Sequence, residues 1–197
     1  MDIQELLMCE IRTQCIFALK AYEDLTKSLE LIKHANTDEL DRFWYSIQAF
    51  LVAVSNVSKI LWPSAPLGSE LPAEMSSRSE NLRNSLLIKQ SFPLKPRKFR
   101  NYPEHYDMEL EEWVAKSKDG MLVDSNIGPI DLDPSTPPGP IAYVRNFDPV
   151  RFTLIFRDEE YQIREIAKAI SDLTQKIKTA IHKKILTSEF LRSPSFN

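Results

Sequence analysis

Glycine is scarce in this chain, with 4 residues in 197. That scarcity argues against glycine-rich phosphate loops, dinucleotide-binding turns and glycine-turned all-β sandwiches. The two cysteines, at 9 and 15, and the three histidines, at 34, 105 and 182, cannot build a zinc finger, which needs close Cys and His pairs, or a Cys-rich scaffold. Cys9 and Cys15 fall in one helical pattern, six residues apart and on different faces, so they cannot bond to each other. No run approaches the ~18 apolar residues that span a bilayer. The start, MDIQELLMCEIR, has acids where a signal peptide has bases. A cytoplasmic protein without a membrane segment is expected. The chain also lacks a surplus of positive charge: its net charge is −3 and its pI about 5.7. Any contact with nucleic acid must therefore come from a local basic patch.

What the chain has is apolar substance and helical period. Hydrophobic residues make up 43% and charged residues 27%, enough to bury one core in a single domain spanning residues 1–197. Leu7, Ile11, Cys15, Ala18, Tyr22, Leu25, Leu29 and Ile32 step by three or four, which predicts a helix from about Asp2 to Ala35. After a break at Asn36, Thr37 caps a second helix that ends near Trp62, before Pro63. Ser77 and Glu80 match a capping box and predict a shorter helix to about Ile88. Helical period returns from about Tyr102, with Tyr106, Leu110, Trp113 and Val114 on one face.

Residues 119–140 hold three of the four glycines and five of the 13 prolines and read as an exposed excursion, with room for a short strand at Met121–Val123. Ile141–Val144 and Phe152–Phe156 read as a β-hairpin around a turn at Asp148-Pro149. A last helix runs from about Tyr161 to Leu186 on a stripe from Ile163 to Ile185. The expected fold is all-α: four main helices and a shorter one, with a small hairpin at about 141–157 before the last helix.

The chemistry concentrates at Arg100-Asn101-Tyr102-Pro103-Glu104-His105. Asn101 and Glu104 suit a helix start, with Pro103 in the first turn where its missing N–H costs nothing. A histidine titrates near neutrality, so His105 can take a proton from a ribose 2′-hydroxyl or give one to a leaving oxygen. Arg100 can hold the scissile phosphate with two hydrogen bonds, and Asn101 can orient the pair. Attack by a 2′-hydroxyl requires no metal, and no metal-binding or cofactor-binding motif stands out. Upstream, Lys95, Arg97, Lys98 and Arg100 place four cations in six residues around Phe99, a pattern that could follow a phosphate backbone. Downstream, Asp107, Glu109, Glu111 and Glu112 would repel RNA and hold His105 as imidazolium. The plainer alternative is that Arg100 pairs with Glu104, that His105 bonds a neighbouring carboxylate or carbonyl, and that the basic run is a solvated loop.

Arg100-Asn101-x-x-x-His105 resembles the Arg-x(4–6)-His signature of HEPN domains. The wider stretch through Glu104-His105-Tyr106-Asp107 is similar to an RNxxEHxDxRL-type block found in a group of bacterial proteins. Two positions depart from the pattern: Pro103 lies inside the motif, and Met108-Glu109 replaces a more basic segment. The resemblance implies an α-helical bundle, often a metal-independent endoribonuclease of toxin or defence type, whose Arg and His converge from two protomers of a homodimer. It implies catalytic roles for Arg100, His105 and Asn101, with support from Glu104 and Tyr106, and RNA along Lys95, Arg97 and Lys98. The other expectation is a non-catalytic helical module that binds a protein partner or a nucleotide.

Overall fold

The computed structural model describes residues 2–32, 37–65, 68–101, 110–111, 114–115, 121–128, 141–156 and 159–192. Helix α1 (Ile3–Ile32) and helix α2 (Thr37–Leu61) pack side by side and form the framework. At 1.5 Å per residue α1 is roughly 45 Å long. Its first turn is closed reciprocally: the Glu5 backbone N–H donates to Asp2 Oδ1 at 2.8 Å, and the Asp2 N–H donates to Glu5 Oε2 at 2.9 Å. The helical stripes are as the spacing predicts. Ile11, Cys15, Ala18 and Leu25 of α1 are buried, as are Phe43, Trp44, Ile47, Phe50, Leu51, Val54, Val57 and Leu61 of α2.

Helix α3 (Ala73–Ser85) begins four residues before the expected capping box. Pro72 stands at its N-cap without a side-chain cap, and Ser79 Oγ donates to Ser76 O inside the helix. The backbone preset of proline makes the entry, so Ser77 and Glu80 lie within the helix. Helix α4 (Lys98–Asn101) is a single turn. Helix α5 (Ile163–Arg192) packs along α1 and buries Ile163, Ile166, Ile170, Leu173 and Ile177. Of the helix expected from about Tyr102, residues 110–111 and 114–115 are helical and the rest lies outside the described residues.

The all-α expectation with a lone hairpin is overturned. Strands β1 (Met121–Val123) and β3 (Ile141–Tyr143) pair in parallel. Strands β2 (Asn126–Ile127), β4 (Arg145–Asp148), β5 (Thr153–Phe156) and β6 (Glu159–Gln162) form a mixed four-stranded sheet in that order, with β2–β4 parallel and the other two pairs antiparallel. The turn at Asp148 is real, with Asp148 Oδ1 accepting from the N–H groups of Val150 and Arg151. It sets Asp148 opposite Thr153, so the partner of β5 is Arg145–Asp148. Ile141–Tyr143 lies beyond that register and pairs with β1. The stretch around Tyr161, expected to open the last helix, is β6, and the helix starts at Ile163.

The sheet belongs to the helical core. Arg145 and Phe147 share one face of β4, as residues two apart must. Phe147, fully buried, meets Phe43 of α2 edge-on at 5.0 Å, and the Arg145 guanidinium sits 5.7 Å over the Trp44 ring. Phe152 adopts a positive φ of 54° yet is buried, packed edge-on against Phe147 and Tyr22 with Arg164 over its ring. An aromatic residue holds that backbone conformation only where its surroundings over-determine it.

Candidate functional site

The segment that leads to the Arg-Asn motif is pinned to α2 and to the sheet. Pro63 ends α2 and leaves Trp62 at its mouth, where Phe92 stacks on it at 5.8 Å. The Arg83 guanidinium lies 6.0 Å over the other part of this aromatic pair, on Trp62, and donates to Leu61 O. Two residues on, Leu94 is fully buried, and its carbonyl accepts from Ser58 Oγ at 2.7 Å in a buried site. The prolines between preclude a continuous helix, so the chain descends in turns: Phe92 N–H to Lys89 O, Lys95 N–H to Phe92 O, and Phe99 N–H to Pro96 O.

The single turn of α4 is then clasped to β6. Phe99 is 4% exposed and meets Tyr161 edge-on at 5.6 Å. Lys98 Nζ donates to Glu160 O, pairs with Glu159 at 3.6 Å and sits 5.0 Å over the Tyr161 ring. Each contact is modest, since half-exposed ion pairs contribute about 0–1 kcal/mol. Together they fix the turn from which residues 100 and 101 emerge.

The expected phosphate ligands thus have different surroundings. Lys95 Nζ donates to Gln90 Oε1 at 2.7 Å on the surface. Arg97 is exposed, with no ion pair among the described residues. Lys98 is drawn into the sheet, and a phosphate would have to compete with Glu159 for it. Arg100 and Asn101 have helical backbone, but their side chains are outside the described set. Glu104, His105 and Tyr106 lie outside the described residues altogether.

A second polar cluster escaped the sequence reading. Arg145 holds Asp124 with Nε donating to Oδ1 at 2.8 Å and a second bond from Nη2 to Oδ2. The Arg145 hydrogen bonds keep the Asp124 carboxyl below the usual carboxylate range, against the opposing effect of partial burial. Beside it, Asn126 Nδ2 donates to Oδ1 of the fully buried Asn146. The partners in each bond lie 20 or more positions apart, and the parallel registers of β1 on β3 and β2 on β4 bring them together. Among the described residues no group of three or more His, Cys, Asp or Glu could hold a metal ion. Nor is any helix there long and apolar enough to cross a membrane.

Comparison with known proteins returns no matching family model, no matching curated protein and no matching solved structure.

Proposed function

We propose that the chain is a HEPN-like cytoplasmic protein, homodimeric, that cuts RNA without a metal. Arg100 holds the scissile phosphate, His105 moves the proton at the 2′-hydroxyl or the leaving oxygen, and Asn101 orients them. Glu104 and Tyr106 support the pair. Supporting this reading is the anchored turn of α4, where buried Phe99 immediately precedes Arg100 and is locked on Tyr161. A phosphate-holding arginine that follows a locked residue starts from a defined place, which is what catalysis by positioning requires. Arg97 and Lys95, on the exposed side of the same segment, extend the phosphate path.

The test is cleavage of labelled RNA in EDTA by the wild-type chain, Arg100→Ala and His105→Ala. Cutting by wild type that falls at least a hundredfold in both variants is the expected result. No cutting by wild type, or equal cutting by all three, refutes the reading.

A second reading has its own support. Lys98, central to the basic run, is engaged by Glu159 and Glu160 O. That favours a structural role for the run and a non-catalytic module that binds a protein or nucleotide. RNA binding without turnover, or no RNA binding, would favour it.

A further inference from the structure

Away from the motif, α1 and α2 leave a groove of about 460 Å³ between them. Its floor is made of small side chains, with Ala21 and Ala53 buried and Ala49 between them. Its ends are closed by a hydrogen bond from Asn56 Nδ2 to Gln14 Oε1 at 3.1 Å and by the ion pair of Arg42 with Asp24 at 3.8 Å. Two aromatic side chains stand out of it at opposite ends and from opposite walls. Phe17 on α1 is 55% exposed, and Tyr45 on α2 is 73% exposed. Large exposed aromatics beside a small-residue floor are unusual on a monomer and common at the centre of interfaces.

We infer that this groove is the face on which a second copy of the same chain docks. A two-fold interface must contain its own complement. This one does: each copy offers two projecting rings and a floor low enough to receive them, and ridge-into-groove packing of paired helices needs both. The rim charges are self-complementary as well. Lys20 and Asp24 lie one turn apart on α1 with opposite signs. A two-fold partner can set its Asp24 against Lys20. A polyanion such as RNA would want a rim of one sign, so this face does not suit it.

Further apolar side chains stand exposed along α1 beyond the groove. Ile3, Leu6 and Leu31 are each 46–55% exposed. They fall with Phe17 in a sector of about 80° along α1, given 3.6 residues per turn. That sector runs roughly 42 Å along the helix and carries Glu10 and Asp24 between its apolar residues.

The groove lies on α1 and α2 and uses no residue of the Arg-His motif, so loss of cleavage leaves it standing, whereas a monomeric wild type also removes the homodimer proposed above. The test is sedimentation of the full chain at micromolar concentration, with circular dichroism to check folding. The wild type is expected to be a dimer, and Phe17→Glu/Tyr45→Glu a folded monomer. Lys20→Asp should weaken the dimer at least tenfold, and adding Asp24→Lys should restore it, because the pair is then re-formed with signs reversed. The internal pair lost with Asp24 is exposed and contributes little to folding. A monomeric wild type, a dimer that survives Phe17→Glu/Tyr45→Glu, or a charge reversal that does not restore association overturns the inference.

Discussion

Replacing Phe99 by alanine tests whether the motif stands on a fixed base. Phe99 is 4% exposed, and its ring contacts Tyr161 edge-on at 5.6 Å. Truncating a phenylalanine this buried removes its transfer energy and leaves a cavity, together about 3–5 kcal/mol. α4 is a single turn and can settle partly into the space, so the lower end, about 3 kcal/mol, is expected. In a chain of this size that lowers Tm by roughly 6–12 °C. Phe99→Leu keeps most of the apolar volume and loses mainly the ring geometry, about 0.5–1.5 kcal/mol. Urea unfolding followed by circular dichroism measures both, and a double-mutant cycle with Tyr161→Leu isolates the ring pair. If the nuclease reading holds, Phe99→Ala also lowers cleavage below the melting range although Arg100 and His105 are intact. A cost under about 1 kcal/mol for Phe99→Ala, or strict additivity with Tyr161→Leu, would show that the turn is not anchored as described.

Two further outcomes follow from the described contacts. Burial pushes the Cys15 thiol up to about 12, with a lesser opposing hydrogen bond from Thr174, while Cys9 is exposed. A thiol reagent at pH 8 should therefore modify Cys9 quickly and Cys15 only as fast as the chain opens; two equally fast thiols would contradict the packing of α1 on α5. The same raised value makes the neutral thiol part of the folded state, so its contribution is full below about pH 9 and lost as pH rises toward 12. Asp124 behaves oppositely: its lowered carboxyl stabilises the fold above the usual carboxylate range, and that contribution disappears as pH falls through its folded value. Asp124→Asn should then lower the urea midpoint at pH 7, and the loss should shrink as pH falls below the usual carboxylate range; a loss that does not change with pH would mean that charge pairing with Arg145 is not the cause.

The long helices were legible because burial imposes a 3.6-residue period on them, and the stripe from Ile11 to Leu25 repeats it without interruption. The strands at Met121–Val123, Ile141–Tyr143 and Thr153–Phe156 were legible, but their pairing and the other three strands were not, because those three carry little local signal. Arg145-Asn146-Phe147-Asp148 has one apolar residue, and Glu159-Glu160-Tyr161-Gln162 has one. Both are strands because β5 is a dense apolar run that needs a partner on each edge. The parallel neighbour of β4 comes from 20 residues upstream, a pairing no local pattern announces. The partner of Lys98 was missed for the same reason. The acids weighed against the basic run were its neighbours at 107–112, whereas the acid that pairs with Lys98 is Glu159, 61 positions away. The D-x-x-E that caps α1 was visible in the sequence, at Asp2 and Glu5, and shows that the local rule applies with aspartate as well as serine.

The two proposals place different demands on α2. Tyr45, Ala49, Val52 and Asn56 share one face of it and line the groove. Ser58, which fixes the segment leading to Arg100, projects about 150° away, by the 100° advance per residue of a helix. A dimer formed on the groove therefore puts α2 between its interface and the Leu94 segment that leads to Arg100. The resemblance to HEPN domains implies the reverse, an Arg and a His converging across the dimer. Mixing Arg100→Ala with His105→Ala chains decides between them. If each site draws on both copies, a mixed dimer contains one intact Arg–His pair and regains cleavage. If each copy carries its own site, every site in the mixture lacks one residue and no activity returns. With the dimer on α1 and α2, the expected result is no rescue. Recovery of cleavage together with loss of the dimer in Phe17→Glu/Tyr45→Glu would refute the separation of the sites argued from the two faces of α2.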